Sequence, residues 1–242
     1  SRRYHNLFDF CMNIVNIDRA YPQVGDGGSY PRYHQQDRIT WSDASAEALE
    51  HAYKIFRDPK FAWALNHTPN WQPSIEFPCT RAEIENEAAK WPDNWNDASC
   101  LQDGYGLALL RRGKGDNKRA LWMMYGRARS HVHHDILHIG LDAFQSTILA
   151  HMGYPRNCNY WEPCWTTQLL ARQFPFVEMT ATAQLLHDSG PVHIAEAYAQ
   201  AFSDEVAAGK GYVVDADNWQ RRMLVMIDVS DTQFYCLDLY RI

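Results

Sequence analysis

The sequence lacks the features that mark membrane and nucleic-acid-binding proteins. It has no run of about eighteen apolar residues, the length that an α-helix needs to span a bilayer. It also has no excess of positive charge: the formal net charge is −6, whereas nucleic-acid-binding domains usually carry a basic surface. We therefore expect neither a membrane nor a nucleic acid as partner. An acidic substrate stays possible, because a local cluster of Arg and His can outweigh the global charge.

Two further absences bear on metal sites and on the extent of the chain. The six cysteines include no Cys-x-x-Cys pair, which argues against a zinc ribbon. There is no initiator Met and no signal peptide, and the chain closes at Ile242 within an alternating pattern. We therefore expect a truncated chain, a fragment or processed form of a longer protein.

The composition is that of a globular protein with many aromatic side chains. Hydrophobic residues make up 46% and charged residues 21%, both ordinary values. Aromatic residues reach 13%, with nine Trp and thirteen Tyr. Two interpretations are open: a core rich in large rings, or a surface on which sugar rings stack.

The hydrophobic pattern changes its period along the chain. Up to about residue 98 it follows helical spacing, as in the stripe Leu49, Ala52, Tyr53 and Phe56, and Asp58-Pro59 is expected to end that helix. Thr80 and Glu83 form a capping-box pattern that predicts a further helix.

Beyond about residue 100 the pattern alternates, which predicts β-strands. In the last part, Met223, Val225, Ile227 and Val229 are expected to form one buried face. Helices followed by many antiparallel strands define an α+β fold, with residues 1–98 helical and residues 99–242 an antiparallel β-sandwich. The predicted strands are 105–111, 119–125, 136–144, 146–150, 174–179, 192–198, 212–215, 221–229 and 233–240.

The densest polar cluster is the segment Ser130-His131-Val132-His133-His134-Asp135, with His138 close behind. In an extended backbone His131, His133 and Asp135 share one face, at the rim of the apolar face that continues through Leu137 and Ile139. Imidazoles at this spacing can bind one divalent metal or transfer protons near neutral pH. Cupins also begin with His-x-His, but the Glu that should follow is absent here.

This segment, together with several others, resembles the heparinase II/III-like polysaccharide lyases. That family carries a Gly/Ser-His-x-His-x-Asp segment, a hydrophobic strand and an Asp-x-Gly-Tyr segment, the last matched here by His151-Met152-Gly153-Tyr154. The other segments that carry the likeness are Asp103-Gly104-Tyr105-Gly106-Leu107, Tyr160-Trp161, Gln220-Arg221-Arg222-Met223-Leu224 and Asp238-Leu239-Tyr240-Arg241.

The resemblance implies a fold and a reaction. The fold is an incomplete α/α toroid, whose end would be residues 1–98, followed by the β-sandwich. The reaction is β-elimination on a uronic acid within an acidic polysaccharide, of the glycosaminoglycan or alginate type. It also implies a periplasmic or secreted enzyme, in which two copies can pair as a homodimer.

The resemblance also implies roles for individual residues. His131 corresponds to the catalytic histidine of the sandwich, and Arg127, Arg129, Arg156 and Tyr154 are candidates for binding substrate. The family's catalytic Tyr lies in the toroid, which places it before residue 1, with Tyr30 and Tyr33 as fallback candidates.

Metal binding is the point at which the sequence departs from the family. His133 corresponds to a zinc ligand, but His151 stands where a second ligand is usually Asp, and Arg172 where a third is usually His. A guanidinium cannot coordinate zinc. Either His133 and His151 hold a divalent metal such as Zn²⁺ with another donor, for instance Asp135 or His134, or Arg172 replaces the charge of the cation.

Two other functions compete with the lyase. One is a non-catalytic, glycan-binding sandwich domain, and the other is a metal-dependent enzyme of a different reaction class that uses the same histidines.

Overall fold

The computed structural model describes residues 1–17, 21–22, 24, 46–68, 70–92, 94, 97–126, 136–149, 179–202 and 214–242. Within them lie four helices and two antiparallel sheets, so the fold is mixed α+β with a sandwich-like β part. The helices are α1 (Arg2–Asn13), α2 (Ala46–Phe56), α3 (Pro59–Asn66) and α4 (Arg81–Ala88).

The helices bury the apolar stripes that the sequence predicts. Leu49, Ala52 and Tyr53 of α2 lie in one core with residues of α3 and α4. The capping box of α4 is confirmed: the Thr80 side chain accepts from the Glu83 amide, and the Thr80 amide donates to the Glu83 carboxylate at 2.7 Å. An α/α toroid stays a prediction, since four described helices do not define one.

Asp58-Pro59 does more than end α2. Asp58 is the N-cap of α3, and its carboxylate accepts from the Lys60 amide at 2.9 Å. Pro59 occupies the first helical position, where its fixed φ suits a helix and its missing N–H has no partner to lose. The same pair of residues therefore ends one helix and begins the next, and the prediction missed α3.

Both sheets are antiparallel meanders. Sheet A has the order β1-β2-β3-β4-β5, and sheet B has the order β6-β7-β8-β9. The strands are β1 (Cys100–Gln102), β2 (Leu107–Arg112), β3 (Arg119–Met124), β4 (His138–Ala143), β5 (Ser146–Leu149), β6 (Met179–Ser189), β7 (Val192–Phe202), β8 (Val214–Asp228) and β9 (Phe234–Arg241). The prediction missed β1 and nearly all of β6, and it divided β8 in two.

The three central strands of sheet A, β2 to β4, are buried on both faces. Its inner face, which includes Leu110 and Met123, packs against Ala195, Leu224 and other residues of sheet B. Its outer face carries a separate cluster of Leu107, Leu109, Trp122 and Met124, against which Ile14 packs from the segment after α1. The helical part, sheet A and sheet B therefore follow one another as layers.

The predicted buried face of β8 is wrong. Leu224 and Met226 point into the core, whereas Val229 is 54% exposed. Met223 and Ile227 are only half-buried, although Val225 is covered. Residues 223–227 are all apolar, so alternation alone cannot decide which set faces inward.

Candidate functional site

Contacts between the sheets define two ends of the sandwich. At one end the Ser99 hydroxyl donates to Asp188 at 2.9 Å, and Arg112 Nε donates to Asp228 at 3.0 Å. The connections β2–β3, β6–β7 and β8–β9 lie here, so we call this the hairpin end. At the opposite end Arg222 of sheet B reaches the main chain of Leu137, just before β4. We call that the far end.

The predicted site residues belong to segments that leave from the far end. Gly126 and Ile136 flank residues 127–135, and Leu149 and Met179 flank residues 150–178; antiparallel pairing brings all four toward the far end. Outside the described residues lie Arg127, Arg129, His131, His133, His134, Asp135, His151, Tyr154, Arg156 and Arg172, as well as Tyr30 and Tyr33.

Residues 127–135 are called the histidine segment below. Just before it, two glycines of the described chain lie in close contact. The amides of Tyr125 and Gly126 both donate to the Gly106 carbonyl, at 2.6 and 2.8 Å. A Cβ on Gly106 would lie 2.0 Å from the Gly126 Cα, and one on Gly126 would lie 1.9 Å from the Tyr105 oxygen. Gly106 also has a φ of +84°, which an L side chain rarely adopts. The β1–β2 turn and the end of β3 therefore fit together only with glycine at both places.

A buried phenol reinforces this contact. Tyr125 is 3% exposed, and its hydroxyl donates to Asp103 Oδ1 at 2.5 Å. Burial raises the pKa of Tyr125 above its ordinary value, and the Asp103 carboxylate raises it further. Tyr125 is therefore a neutral donor at physiological pH, which ties the turn at residues 103–106 to the last described residues before the segment.

The chain leaves the segment through a strained residue. Leu137 has a φ of +60°, a costly conformation for a bulky side chain, and that side chain is fully buried. Its amide donates to the Met124 carbonyl at 2.6 Å, and its carbonyl accepts from Arg222 Nη1 at 2.7 Å. These contacts fix the backbone at the start of β4.

Arg222 is itself held rigidly. Its side chain is 3% exposed, and Nε and Nη2 form a fork on the Asp238 carboxylate at 2.8 and 2.6 Å. The guanidinium also lies over the Tyr240 ring, 4.7 Å from its centroid. Arg222 belongs to the segment Gln220-Arg221-Arg222-Met223-Leu224 that carries the family likeness, but no role is predicted for it from the sequence. One feature of the sequence could have indicated its burial: Arg222 alternates with Leu224 and Met226, and all three side chains are buried in the structure.

His138 takes no part in an open site. It is fully buried at the start of β4, and its ring meets Trp122 edge-on at 5.4 Å between centroids. Its side chain points to the opposite face of sheet A from those of Leu137 and Ile139, which face sheet B. The fourth histidine of the cluster therefore belongs to the interior under the helical part.

The helical part is anchored on sheet A. Arg111, 5% exposed, donates to the carbonyls of Asn13 and Val15 at 3.1 and 2.7 Å, where α1 ends. Burial lowers the pKa of Arg111. Nearer the far end, the rings of Phe10 and Tyr105 meet edge-on at 5.3 Å, and Tyr105 is 40% exposed. An exposed aromatic ring thus lies beside the glycine contact, at the junction of the helical part and the sandwich.

No group of three or more His, Cys, Asp or Glu in the described part of the chain could hold a metal ion. The proposed ligands His133 and His151 lie outside that part. Nor does any helix of the described ranges have the length and apolarity needed to cross a membrane.

Comparison with solved structures shows a heparinase III-like fold. The chain matches a crystal structure of heparinase III over 98% of its length, with a TM-score of 0.58 and 13% sequence identity. It matches a second heparinase III structure over 99% of its length, with a TM-score of 0.54 and 11% identity. No family model and no curated protein matches the sequence.

The match covers only part of those enzymes. The chain spans 34% and 33% of the two heparinase III chains, about a third of their length. At these identities the likeness shows the fold alone, because one fold can carry many different sites.

Proposed function

We propose that this chain is part of a polysaccharide lyase that cleaves a uronic-acid-containing glycan by β-elimination. The observation that carries the proposal is the heparinase III-like fold over nearly the whole chain. The arrangement of the far end adds support, because the segments that carry the candidate residues enter and leave the sandwich there. A periplasmic or secreted location, an acidic polysaccharide as partner and pairing of two copies belong to the same proposal.

The reaction sets the groups that the site must supply. A base removes the proton from C5, the electrons of that bond form the C4=C5 double bond, and the C4–O bond breaks with its electrons on the leaving oxygen. An acid then protonates this oxygen, while a positive group neutralises the carboxylate on C5. His131 is the proposed proton-transfer group, since an unperturbed imidazole titrates nearest to neutral pH.

The remaining candidates bind substrate. Arg127, Arg129 and Arg156 can each form a fork on a carboxylate or sulfate, and Tyr154 is proposed to contact the sugar. A Tyr of the toroid that precedes residue 1, or else Tyr30 or Tyr33, is proposed to share the proton transfers with His131. The described anchors at Gly126 and Leu137 support this scheme, because rigid flanks help to hold catalytic groups in position.

A divalent metal, with Zn²⁺ as the first choice, is proposed to be bound by His133 and His151 with one further donor. Elemental analysis of the purified protein tests this proposal, with His133→Ala and His151→Ala as comparisons. Metal that both variants retain would contradict the assignment. Protein without metal would favour Arg172 as the substitute for the cation.

The assay for the proposed function is ultraviolet absorbance of unsaturated uronates during incubation with heparan sulfate, hyaluronan and alginate. We expect absorbance to rise with one class of these glycans. Glycan binding without any rise would support the non-catalytic sandwich instead. Metal-dependent turnover that forms no unsaturated product would support a different reaction class.

A further inference from the structure

A polar cavity lies at the hairpin end of the sandwich, away from the proposed active site. It has a volume of about 550 Å³ and opens between the connections β2–β3, β6–β7 and β8–β9. That volume is within the usual range for small-molecule sites. Among the described residues its lining contains no aromatic side chain, and its charged members there are Asp97, Arg112, Lys114, Arg119, Asp228 and Asp231.

The floor of this cavity is a saturated ion cluster. Asp228 accepts from Arg119 through Nε at 3.1 Å and through Nη2, and from Arg112 Nε at 3.0 Å. His193, fully buried, lies with Nε2 at 3.4 Å from the same carboxylate. Burial raises the pKa of Asp228, but the hydrogen bonds from both arginines outweigh it and hold the pKa below its ordinary value. Asp228 is thus ionised and already neutralised by its neighbours.

The two arginines of the floor differ in how many of their guanidinium nitrogens donate hydrogen bonds. Arg119 is 1% exposed, and its Nη1 donates to the main-chain oxygens of Asn117 and Asp231, so all its nitrogens are engaged. Arg112 uses only Nε, and its side chain is 38% exposed. Within the described part of the chain, its Nη1 and Nη2 have no hydrogen-bond partner. Asp228 therefore fixes a guanidinium whose terminal nitrogens stay available.

A second cation lines the same cavity as this guanidinium. Lys114 is exposed in the β2–β3 connection and has no ion-pair partner among the described residues. Of the acids in the lining, Asp97 is paired with Lys118 at 3.2 Å, and Asp228 is paired with the two arginines. The cavity therefore offers the terminal nitrogens of Arg112 and the ammonium of Lys114 as donors, and its lining also includes acceptors on Asp231 and Ser230.

We propose that this cavity binds an acidic sugar unit, with its carboxylate or sulfate on Arg112 and Lys114 and its hydroxyls on Asp231 and Ser230. A planar fork held in place by Asp228 matches an oxyanion and loses little entropy on binding. The Asp231 carboxylate can accept hydrogen bonds from sugar hydroxyls, and its charge disfavours a bare anion. The site is separate from the proposed catalytic end and does not depend on the lyase activity.

Direct binding measurements on the full chain test this proposal. Titration with glucuronate, glucose 6-sulfate, glucose and inorganic sulfate, followed by calorimetry or amide NMR shifts, compares the ligand classes. We expect dissociation constants on the order of 1 mM for whichever charged sugars carry the matching anion, and at least tenfold weaker binding of glucose and sulfate. Binding of only one charged sugar would identify the anion as carboxylate or sulfate.

Variants locate the binding. Lys114→Gln should weaken binding of the charged sugar about tenfold, the effect of losing one charge-assisted hydrogen bond. Lys54→Gln, an equal change of charge at an exposed position of α2, should leave it unaltered. Arg112→Lys keeps a cation near Asp228 but lacks the fork, so it should also weaken binding, and circular dichroism confirms that it folds.

Two results would overturn the proposal: equal affinity for glucose and both charged sugars, or unchanged affinity in Lys114→Gln. His131→Ala should bind the charged sugar as the parent protein does. Loss of catalysis and loss of this site can therefore be told apart.

Discussion

Arg222 on β8 donates a hydrogen bond of 2.7 Å to the main-chain oxygen of Leu137, which has a φ of +60°. One buried guanidinium thereby joins sheet B to the point where the chain returns from the histidine segment to sheet A. The strained backbone at Leu137 persists because several contacts fix it together.

Arg222→Met should destabilise the protein by about 2–3 kcal/mol, because it removes charge-assisted hydrogen bonds from a buried position. The cost stays below that of a fully buried pair, since Asp238 is 40% exposed and can be solvated. Urea unfolding followed by circular dichroism measures the change.

Lys90→Met is the control for this experiment. Lys90 forms an ion pair with Glu87 at 2.5 Å, and the two side chains are 60% and 31% exposed. Because water solvates both groups, we expect a loss of less than about 1 kcal/mol. Equal losses for the two variants would show that Arg222 is not a special anchor.

Tyr125→Phe should cost about 1 kcal/mol at neutral pH, the typical value of one buried hydrogen bond. It should also change the response to alkali. Because burial and Asp103 raise the pKa of Tyr125 in the folded protein, its contribution is complete below the unfolded pKa of about 10 and is lost as the pH rises beyond that value. Unfolding free energies measured from pH 7 upward should therefore fall more steeply for the parent protein than for Tyr125→Phe above pH ~10. Parallel curves would contradict the assignment of a buried neutral phenol.

Sequence patterns predict the parts of this fold that depend on local periodicity. The capping box at Thr80 and Glu83 and the alternation of Leu137 and Ile139 need only neighbouring residues, and the structure confirms both. Local periodicity does not predict which face of β8 is buried. Its apolar run could bury either face, and the choice depends on how the whole sheet packs.

The contacts that fix the backbone at the far end could not be predicted from local sequence patterns either. The hydrogen bonds Tyr125–Asp103 and Arg222–Leu137 join residues distant in sequence, and no spacing rule links their partners. The histidine cluster could be found from the sequence because its residues are adjacent. The contacts around the cluster could not be found in this way, because only folding brings the residues that form them together.

Gly106→Ala should destabilise the protein by more than about 1 kcal/mol, since φ is positive there and the new Cβ would meet the backbone of Gly126. Gly104→Ala is the control on the same turn, because a Cβ there meets nothing within 4 Å. We expect its stability to change by no more than about 0.5 kcal/mol. Thermal unfolding compares the two variants, and similar melting temperatures would refute the close contact between Gly106 and Gly126.

If the proposed function is correct, Gly106→Ala should also lower turnover while Gly104→Ala preserves it. The reason is that Gly106 fixes the backbone from which the chain enters the histidine segment. The comparison uses the absorbance of unsaturated product at a temperature where both variants are folded. A folded Gly106→Ala variant with full activity would show that the position of this backbone does not matter for catalysis.

His131→Ala should lower turnover on a uronate glycan by roughly 10²-fold or more, the scale typical of general acid–base groups. It should barely alter thermal stability, because the sequence predicts His131 at the rim of the sheet, where a histidine contributes little packing. His138→Ala is the opposite control: His138 is fully buried against Trp122, so its loss should lower the melting temperature. The pH dependence of kcat/KM adds an independent check, since proton transfer through an imidazole requires a transition near the ordinary histidine range, about pH 6.5. If His131→Ala stayed active with the parent's pH profile, another residue would have to perform the proton transfer.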